Sequence, residues 1–294
     1  MAAQLRLTRR DLKAMALSLP GALFLLFFLF LPLVTIVIYS FWRSENYTMI
    51  ADWNLDNYIT LLTTRTYLTF IFRSLVMSLS VSFICLVYSW PVAYFIARYG
   101  GRYRLILVLL TAAPFFTGII LRVTAMQQIL GPIGVLNMFL TNMGLAPLKL
   151  LMYTNYATAL GLVYLWIPFM VLAIYLSLLT FDFKLLDAAM INGAGPLRAF
   201  IEVTWPLNWI GTCIGLALVF IPTFAATITP KFLGGVNGAL YGNILAHQFG
   251  ATGTWALGSA MGVVLFAISS LFVYIIFKTV NLNRAGYTGK LDGE

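Results

Sequence analysis

A chain of 294 residues that is 61% hydrophobic and 9% charged has too little polar surface to cover a water-soluble core of that size, so its solvent is lipid. The net charge of +9 would suit a polyanion. The basic residues, however, stand in short clusters beside apolar runs, where anionic lipid and the insertion rule account for them, and nucleic acid is set aside as a partner.

Six apolar stretches are long enough for a helical span of about 20 residues: Ala16–Trp42, Ser74–Ala97, Leu105–Ala125, Ala157–Thr180, Trp209–Ile228 and Trp255–Phe277. Continuous runs of this kind are not the short alternating strands of a barrel. The expected fold is an all-α membrane protein with six transmembrane helices, its permease-like body at residues 16–280 between a short segment at 1–15 and a tail at 281–294. The first run follows Arg6, Arg9, Arg10 and Lys13 as a secretory signal would. Its apolar core is about twice the usual signal length and has no convincing small-x-small cleavage site, so it reads as a retained span. With the N-terminus cytoplasmic, the inner segments hold Arg6, Arg9, Arg10, Lys13, Arg98, Arg102, Arg104, Lys184, Arg198, Lys278, Arg284 and Lys290, most of the chain's basic residues. That bias places both termini inside.

The outer segment from Arg43 to Arg73 is polar and aromatic around Trp53-Asn54-Leu55-Asp56-Asn57-Tyr58, and reads as a short surface helix followed by a docking element. A tight basic turn through Gly100-Gly101 follows the second span, and Gly131-Pro132 opens a turn and an interfacial half-helix. Pro32, Pro91, Pro114, Pro168 and Pro222 lie deep in spans, each removing a helix hydrogen bond and inviting a kink. Gly211-x3-Gly215 and Gly258-x3-Gly262 permit close helix approach. Cys85 and Cys213 fall in spans with no neighbouring His or acid, which makes them packing residues, and His247 in the third outer segment has no role assigned.

The inner segment at 181–207 is too polar for lipid and too patterned for a linker. Asp187-Ala188-Ala189-Met190-Ile191-Asn192-Gly193-Ala194-Gly195-Pro196 reads as a helix that stops at glycines and restarts at a proline. The alanines offer a shallow face beside Asp187, while Phe200 and Val203 share a face as an exposed apolar anchor before Trp205-Pro206 ends the element. The pattern Asp187-Ala188-Ala189-x3-Gly193-Ala194-x5-Phe200-x2-Val203-x2-Pro206 resembles the "EAA" loop of type I ABC importer permeases. It departs from that pattern in Asp187 for Glu, Trp205 for Leu and Ile210 for a nearby proline. The resemblance implies the permease fold and a coupling role for Asp187, Ala188, Ala189, Gly193, Ala194, Pro196, Phe200, Val203 and Pro206. It also implies an ABC ATPase dimer, a second homologous permease subunit as a heterodimer or homodimer, and an external solute-binding protein.

The resemblance extends from Ser74 to Phe277. Trp90-Pro91-Val92-Ala93-Tyr94-Phe95-Ile96-Ala97-Arg98, Pro114-Phe115-Phe116-Thr117 with Leu121-Arg122, and Leu233-Gly234-Gly235 with Tyr241-Gly242-Asn243 and Gln248-Phe249 are similar to the spermidine/putrescine permease branch. That branch implies a polyamine cargo or a related small solute such as an opine or aminophosphonate. No Gly-x4-Gly-Lys-Ser/Thr loop occurs, so this chain binds no cofactor and is no enzyme; ATP and Mg belong to the partner ATPase.

A polyamine crossing low dielectric needs acidic or aromatic partners, yet all 9 Asp and Glu fall in loops or tails. Either a partner permease supplies acids, or Tyr88, Tyr94, Tyr164, Trp166 and Tyr175 line an aromatic path; packing is the competing role for each aromatic. Arg122, at the outer end of the third span, either snorkels to headgroups or braces an outer gate. A stand-alone secondary transporter or channel is the alternative from another class. It would show ionisable residues within spans or an inverted repeat.

Overall fold

The computed structural model describes residues 9–147 and 151–291, and the expected segment at 1–15 lies for its first eight positions outside them. The elements are helical apart from one short hairpin. In order they are α1 (Arg9–Tyr39), β1 (Arg43–Glu45), β2 (Thr48–Ile50), α2 (Asp56–Thr63), α3 (Arg65–Tyr99), α4 (Arg104–Ala112), α5 (Ile119–Leu130), α6 (Val135–Asn142), α7 (Asn155–Leu179), α8 (Phe183–Ile191), α9 (Pro196–Ala199), α10 (Trp205–Leu207), α11 (Trp209–Phe224), α12 (Tyr241–Gly250) and α13 (Trp255–Leu291). Among the described residues 5 helical stretches are long and apolar enough to cross a membrane, and 6 if Pro196–Leu207 and Trp209–Phe224, which bend by 71°, count as one.

The chain divides into two compact units, one of Met1–Leu61 with Gln248–Val264 and one of Leu62–His247 with Leu265–Glu294. In the first, β1 and β2 pair antiparallel, with Ser44 opposite Met49. The hairpin, and not a surface helix, therefore opens the Arg43–Arg73 segment. Asn46 and Tyr47 at its tip take positive φ of 47° and 61°, as a two-residue hairpin turn demands. The Trp53–Tyr58 motif closes this unit. Asn57 Nδ2 donates to the carbonyls of Ser40 (2.9 Å) and Trp42 (2.8 Å), satisfying the end of α1, and Phe41 packs against the rings of Trp53 and Tyr58. The start of α13 is fixed by the Ala256 N–H donating to Ser44 Oγ at 2.9 Å.

The second unit is built on α3, α7 and α11, which pack on one another along their lengths. Met77, Val81, Cys85, Ala93, Leu162, Met170, Ile174 and Val219 fill the seam. Both cysteines are buried and free, so their role here is packing. The close approach rests on glycine: a Cβ at Gly211 would lie 2.3 Å from Ser177 Cβ and one at Gly215 2.4 Å from Met170 Sδ. In lipid, where helices gain little from hiding apolar surface, such small-residue contacts carry association.

Two expectations are corrected. The second span begins at Arg65, nine residues before Ser74, because Thr64 ends α2 and the polar first turns of α3 continue the helix beyond the apolar run. The third, Leu105–Ala125, is not one helix. Ala113–Phe116 tightens to a 3-10 turn at Pro114 and Gly118 is extended (φ −62°, ψ 150°), so α4 and α5 are separate rods; a proline there cannot supply the N–H an unbroken helix needs. α13 continues through positions 281–291, which the sequence reading assigned to a tail.

Replacing Gly211 by Ala forces Ser177 and the Ala173 carbonyl (3.1 Å from the added Cβ) to move, and is expected to cost about 1–3 kcal/mol. Gly21→Ala in α1, where nothing lies within 4 Å, should be neutral or stabilising by up to about 1 kcal/mol. Thermal unfolding of the two variants in detergent, compared with wild type, checks the difference in sign.

Candidate functional site: the coupling segment and the cavities beside it

α8 starts where the Asp182 side chain accepts the Lys184 N–H at 3.0 Å, an N-cap. It stops in a Schellman motif: the Gly193 N–H donates to the Met190 carbonyl and the Ala194 N–H to that of Ala189. Gly193 sits at φ +88°, a conformation costly for any residue with a Cβ, and this is the local reason for a glycine there. Pro196 opens α9. From Phe200 to Thr204 the backbone then widens into a π-turn, because Pro206 offers no N–H and its ring crowds the carbonyl four residues earlier. Asn208 ends the segment, its Nδ2 donating to the Thr204 carbonyl (2.8 Å) while its Oδ1 accepts from Ser177 Oγ (3.1 Å) on α7.

An aromatic cluster fastens this segment to the helix core. Trp90 of α3, 3% exposed, stacks on Trp205 at 5.2 Å and meets Phe200 edge-on at 5.2 Å. Tyr94 touches Phe183 and Phe200 edge-on. Phe200, expected as an exposed anchor, therefore faces inward. The three-residue spacing of Phe200 and Val203 does not define a shared outer face, because the π-turn shifts the angle between them; Val203 and Pro206 are both half-buried. The most exposed aliphatic residues of the segment are Ile191 (86%) and Leu197 (73%). They flank a shallow surface on which Asp187, Ala188, Gly193 and Pro196 are exposed and Ala189 and Ala194 half-buried. Sequence reasoning missed both. The signal for them is their position on either side of a glycine-rich turn, where the chain has little of its own with which to cover a side chain.

Asp187 is tied to α3. Its Oδ1 accepts from Arg98 Nη2 at 2.8 Å, and Arg98 Nη1 donates to the Tyr94 hydroxyl at 2.8 Å. The guanidinium lies 5.7 Å from the ring centroids of both Tyr99 and Phe183, within range of cation–π attraction. α8 is thus held to the last turn of α3 by charge, hydrogen bond and ring contact together.

The five aromatics expected along a path do not converge. Trp90, Pro91, Tyr94, Phe200 and Trp205 border an apolar cavity of about 400 Å³, and Tyr88 lines an adjoining cleft that shares Phe83, Val87 and Pro91 with it. On α7, Tyr164 is exposed, Trp166 packs beside Leu165 and Val123, and Tyr175 is buried in the helix seam. A second cavity of about 680 Å³ has mostly apolar walls, with Thr227, Lys231, Asn243 and His247 as their polar members. Its frame is rigid. Asn243 Nδ2 donates to the Thr227 carbonyl at 2.7 Å while its Oδ1 accepts the Leu240 N–H, and a Cβ at Gly242 would lie 2.6 Å from two backbone carbonyls. His247, unassigned by sequence, borders this cavity from α12. Arg122 is 9% exposed, so it does not snorkel.

The chain as a whole has counterparts among solved structures. The chain superimposes with a TM-score of 0.67 over 93% of its length, and 96% of the other's, on a subunit of a bacterial ABC transporter involved in the import of the acidic polysaccharide alginate, at 15% identity. A further crystal structure, the alginate transporter in complex with alginate pentasaccharide-bound periplasmic protein, matches with a TM-score of 0.67 at 16% identity, over 91% of this chain and 93% of that one. The fold is that of an ABC importer's membrane-spanning permease.

In sequence, the chain is 32% identical over 261 residues to the spermidine/putrescine transport system permease protein PotB of Escherichia coli, covering 88% of this chain and 94% of the relative. It is 31% identical to PotB of Haemophilus influenzae, covering 88% and 91%. It is also 27% identical to the E. coli inner membrane ABC transporter permease protein YdcU, covering 83% and 82%. No family model matches the chain. The chain belongs to the family of the PotB permeases, and it is a multi-pass inner-membrane permease component of a binding-protein-dependent importer.

Because the Arg98–Asp187 pair is half exposed on the Asp187 side, Asp187→Ala should lower stability by no more than about 1 kcal/mol. Arg98→Ala removes the Tyr94 bond and the ring contacts as well and should cost more. Thermal unfolding of the two single variants and the double variant checks this, with the double close to Arg98→Ala alone.

Proposed function

We propose that this subunit couples to a separate ABC ATPase dimer through the segment Phe183–Leu207, and that ATP and Mg bind on that dimer. A second homologous permease subunit, in a heterodimer, completes the translocation path, and an external solute-binding protein delivers cargo on the opposite face. Both termini are cytoplasmic in this arrangement. The observation that carries the reading is the rigid helix-turn-helix, fastened to α3 through Trp90 and Arg98 and presenting Ile191 and Leu197 outward. An exposed aliphatic pair beside small residues is a fitting anchor for a protein groove.

The cargo is a small amine-bearing solute. The names of the relatives support spermidine and putrescine; an opine or an aminophosphonate is the alternative cargo. Amine recognition by tyrosines and tryptophans in the path is consistent with cation–π attraction, Tyr94 being the one of the five that borders a cavity next to the coupling segment.

The test is reconstitution in nanodiscs with the cognate ATPase, second permease and solute-binding protein. ATP hydrolysis should rise only when the binding protein carries its solute. Ile191→Asp and Leu197→Asp should each cut that stimulation by about tenfold or more, the loss of a roughly 1.4 kcal/mol or larger anchor contact, while binding-protein association persists. Uptake that proceeds without any ATPase would instead mark a stand-alone transporter.

A further inference from the structure

Arg122 occupies the fourth position of α5 and is 9% exposed. Its Nε and Nη1 are buried without a partner, and its side chain makes no hydrogen bond or ion pair among the described residues, while its backbone N–H donates to the Gly118 carbonyl. Most other unpartnered buried atoms are single hydroxyls or indole N–H groups. Arg104 keeps a bond from its Nη2 to the Ala97 carbonyl. Arg122 is different in kind: a permanent charge, with donors only, in a membrane-spanning segment. Its place in the first turn of α5 adds to the cost, since the N-terminal end of a helix already carries partial positive charge.

Among the described residues nothing neutralises it. The acids whose side chains are described are engaged elsewhere: Glu45 and Asp56 with Arg43, Asp52 with Asn54, Asp182 at the α8 cap, Asp187 with Arg98, and Glu202 with Arg198. Around Arg122 the surplus is of donors. α5 packs on α7, where the Trp166 Nε1 is also buried without an acceptor. It packs as well on the turn Pro230–Gly234, where Lys231 lines the larger cavity with no carboxylate among the residues of its wall.

A buried guanidinium without a counter-charge is retained only where something else supplies it, and an ionisable group within a span is a functional site by default. We propose that Arg122 is the anchor for an anionic oxygen group, a carboxylate or a phosphonate, supplied from outside this chain. The inference rests on the permease reading above. The two sources of such a group are an acidic side chain of the second permease subunit and an anionic group on the transported solute. The first fits a polycationic cargo, because it brings into the path the acid that this chain's spans lack. The second fits a zwitterionic cargo such as an aminophosphonate or an opine.

The test uses the complete importer in nanodiscs, with Arg122→Gln, which keeps hydrogen bonding without charge, and Arg122→Lys, which keeps charge without the planar fork. The readouts are membrane-inserted amount, co-purification of the second permease, and uptake of spermidine and of an aminophosphonate. The expected result is normal insertion with at least a tenfold loss in Arg122→Gln and an intermediate value in Arg122→Lys. If the anion comes from the second permease, co-purification or uptake of every solute falls, and replacing one intramembrane acid of that subunit by its amide restores it. If it comes from the solute, co-purification is unchanged and the loss is confined to the anion-bearing solute. Arg122→Gln matching wild type in co-purification and in both uptakes overturns the inference and leaves the permease reading intact. A wild-type complex with no solute-dependent ATP hydrolysis removes that reading, and the inference with it.

Discussion

The structure depends on the contact between α7 and α11, where glycine lets two backbones approach in a medium that gives helices no other strong reason to associate. Gly211 and Gly215 lie against Ser177, Ala173 and Met170, and the seam they open is filled by the side chains of α3. Lipid tails are as apolar as leucine, so the stabilisation comes from dispersion at close range. The exposed apolar surfaces of the unit, such as Phe72, Phe83, Phe95 and Leu176, are then ordinary for a lipid-facing protein and carry no message of their own.

That contact has a functional consequence through chain continuity. α11 follows directly on the proposed coupling segment, bending by 71° at Asn208, and Asn208 is held at once by the Thr204 carbonyl ahead of it and by Ser177 on α7. The proposed coupling segment is therefore joined to the core at three places: Asn208, the Trp90 aromatic cluster, and the Arg98–Asp187 bridge. All three involve α3 or α7, the helices that α11 packs upon. A displacement at Ile191 or Leu197 meets no flexible linker before it reaches the spans.

Much of this was legible in the sequence. Apolar runs located the spans, and the Asp187–Pro206 pattern identified the helix-turn-helix and its glycine stop, because Gly193 and Pro196 act through local backbone rules that need no tertiary knowledge. The errors came where neighbours decide. Leu105–Ala125 is apolar enough for one span, and hydropathy does not register that Pro114 and Gly118 divide it. Phe200 looks like an outward anchor until Trp90, more than a hundred positions earlier, covers it. Tyr175 reads like its companion aromatics but falls in the seam. Arg122 shows the same limit in reverse, since a basic residue near a span end ordinarily reaches headgroups and only packing reveals that this one does not.

α11 is bracketed by irregular backbone at both ends. Ahead of it the π-turn Phe200–Thr204 precedes Pro206, and after it the π-turn Pro230–Gly234 begins at a proline. Such wide turns are a recurrent feature of functional segments. Both are closely packed here, the first by Trp90 and the second by Gly161 and Thr158, against which Leu233 and Gly234 sit at distances that exclude a larger side chain. The proposed coupling surface and the cavity at Lys231 therefore stand at opposite ends of one 16-residue helix, roughly 24 Å long at 1.5 Å per residue. The glycine seam lies in the first half of that helix, so the element that links the two sites is also the one that holds the unit together.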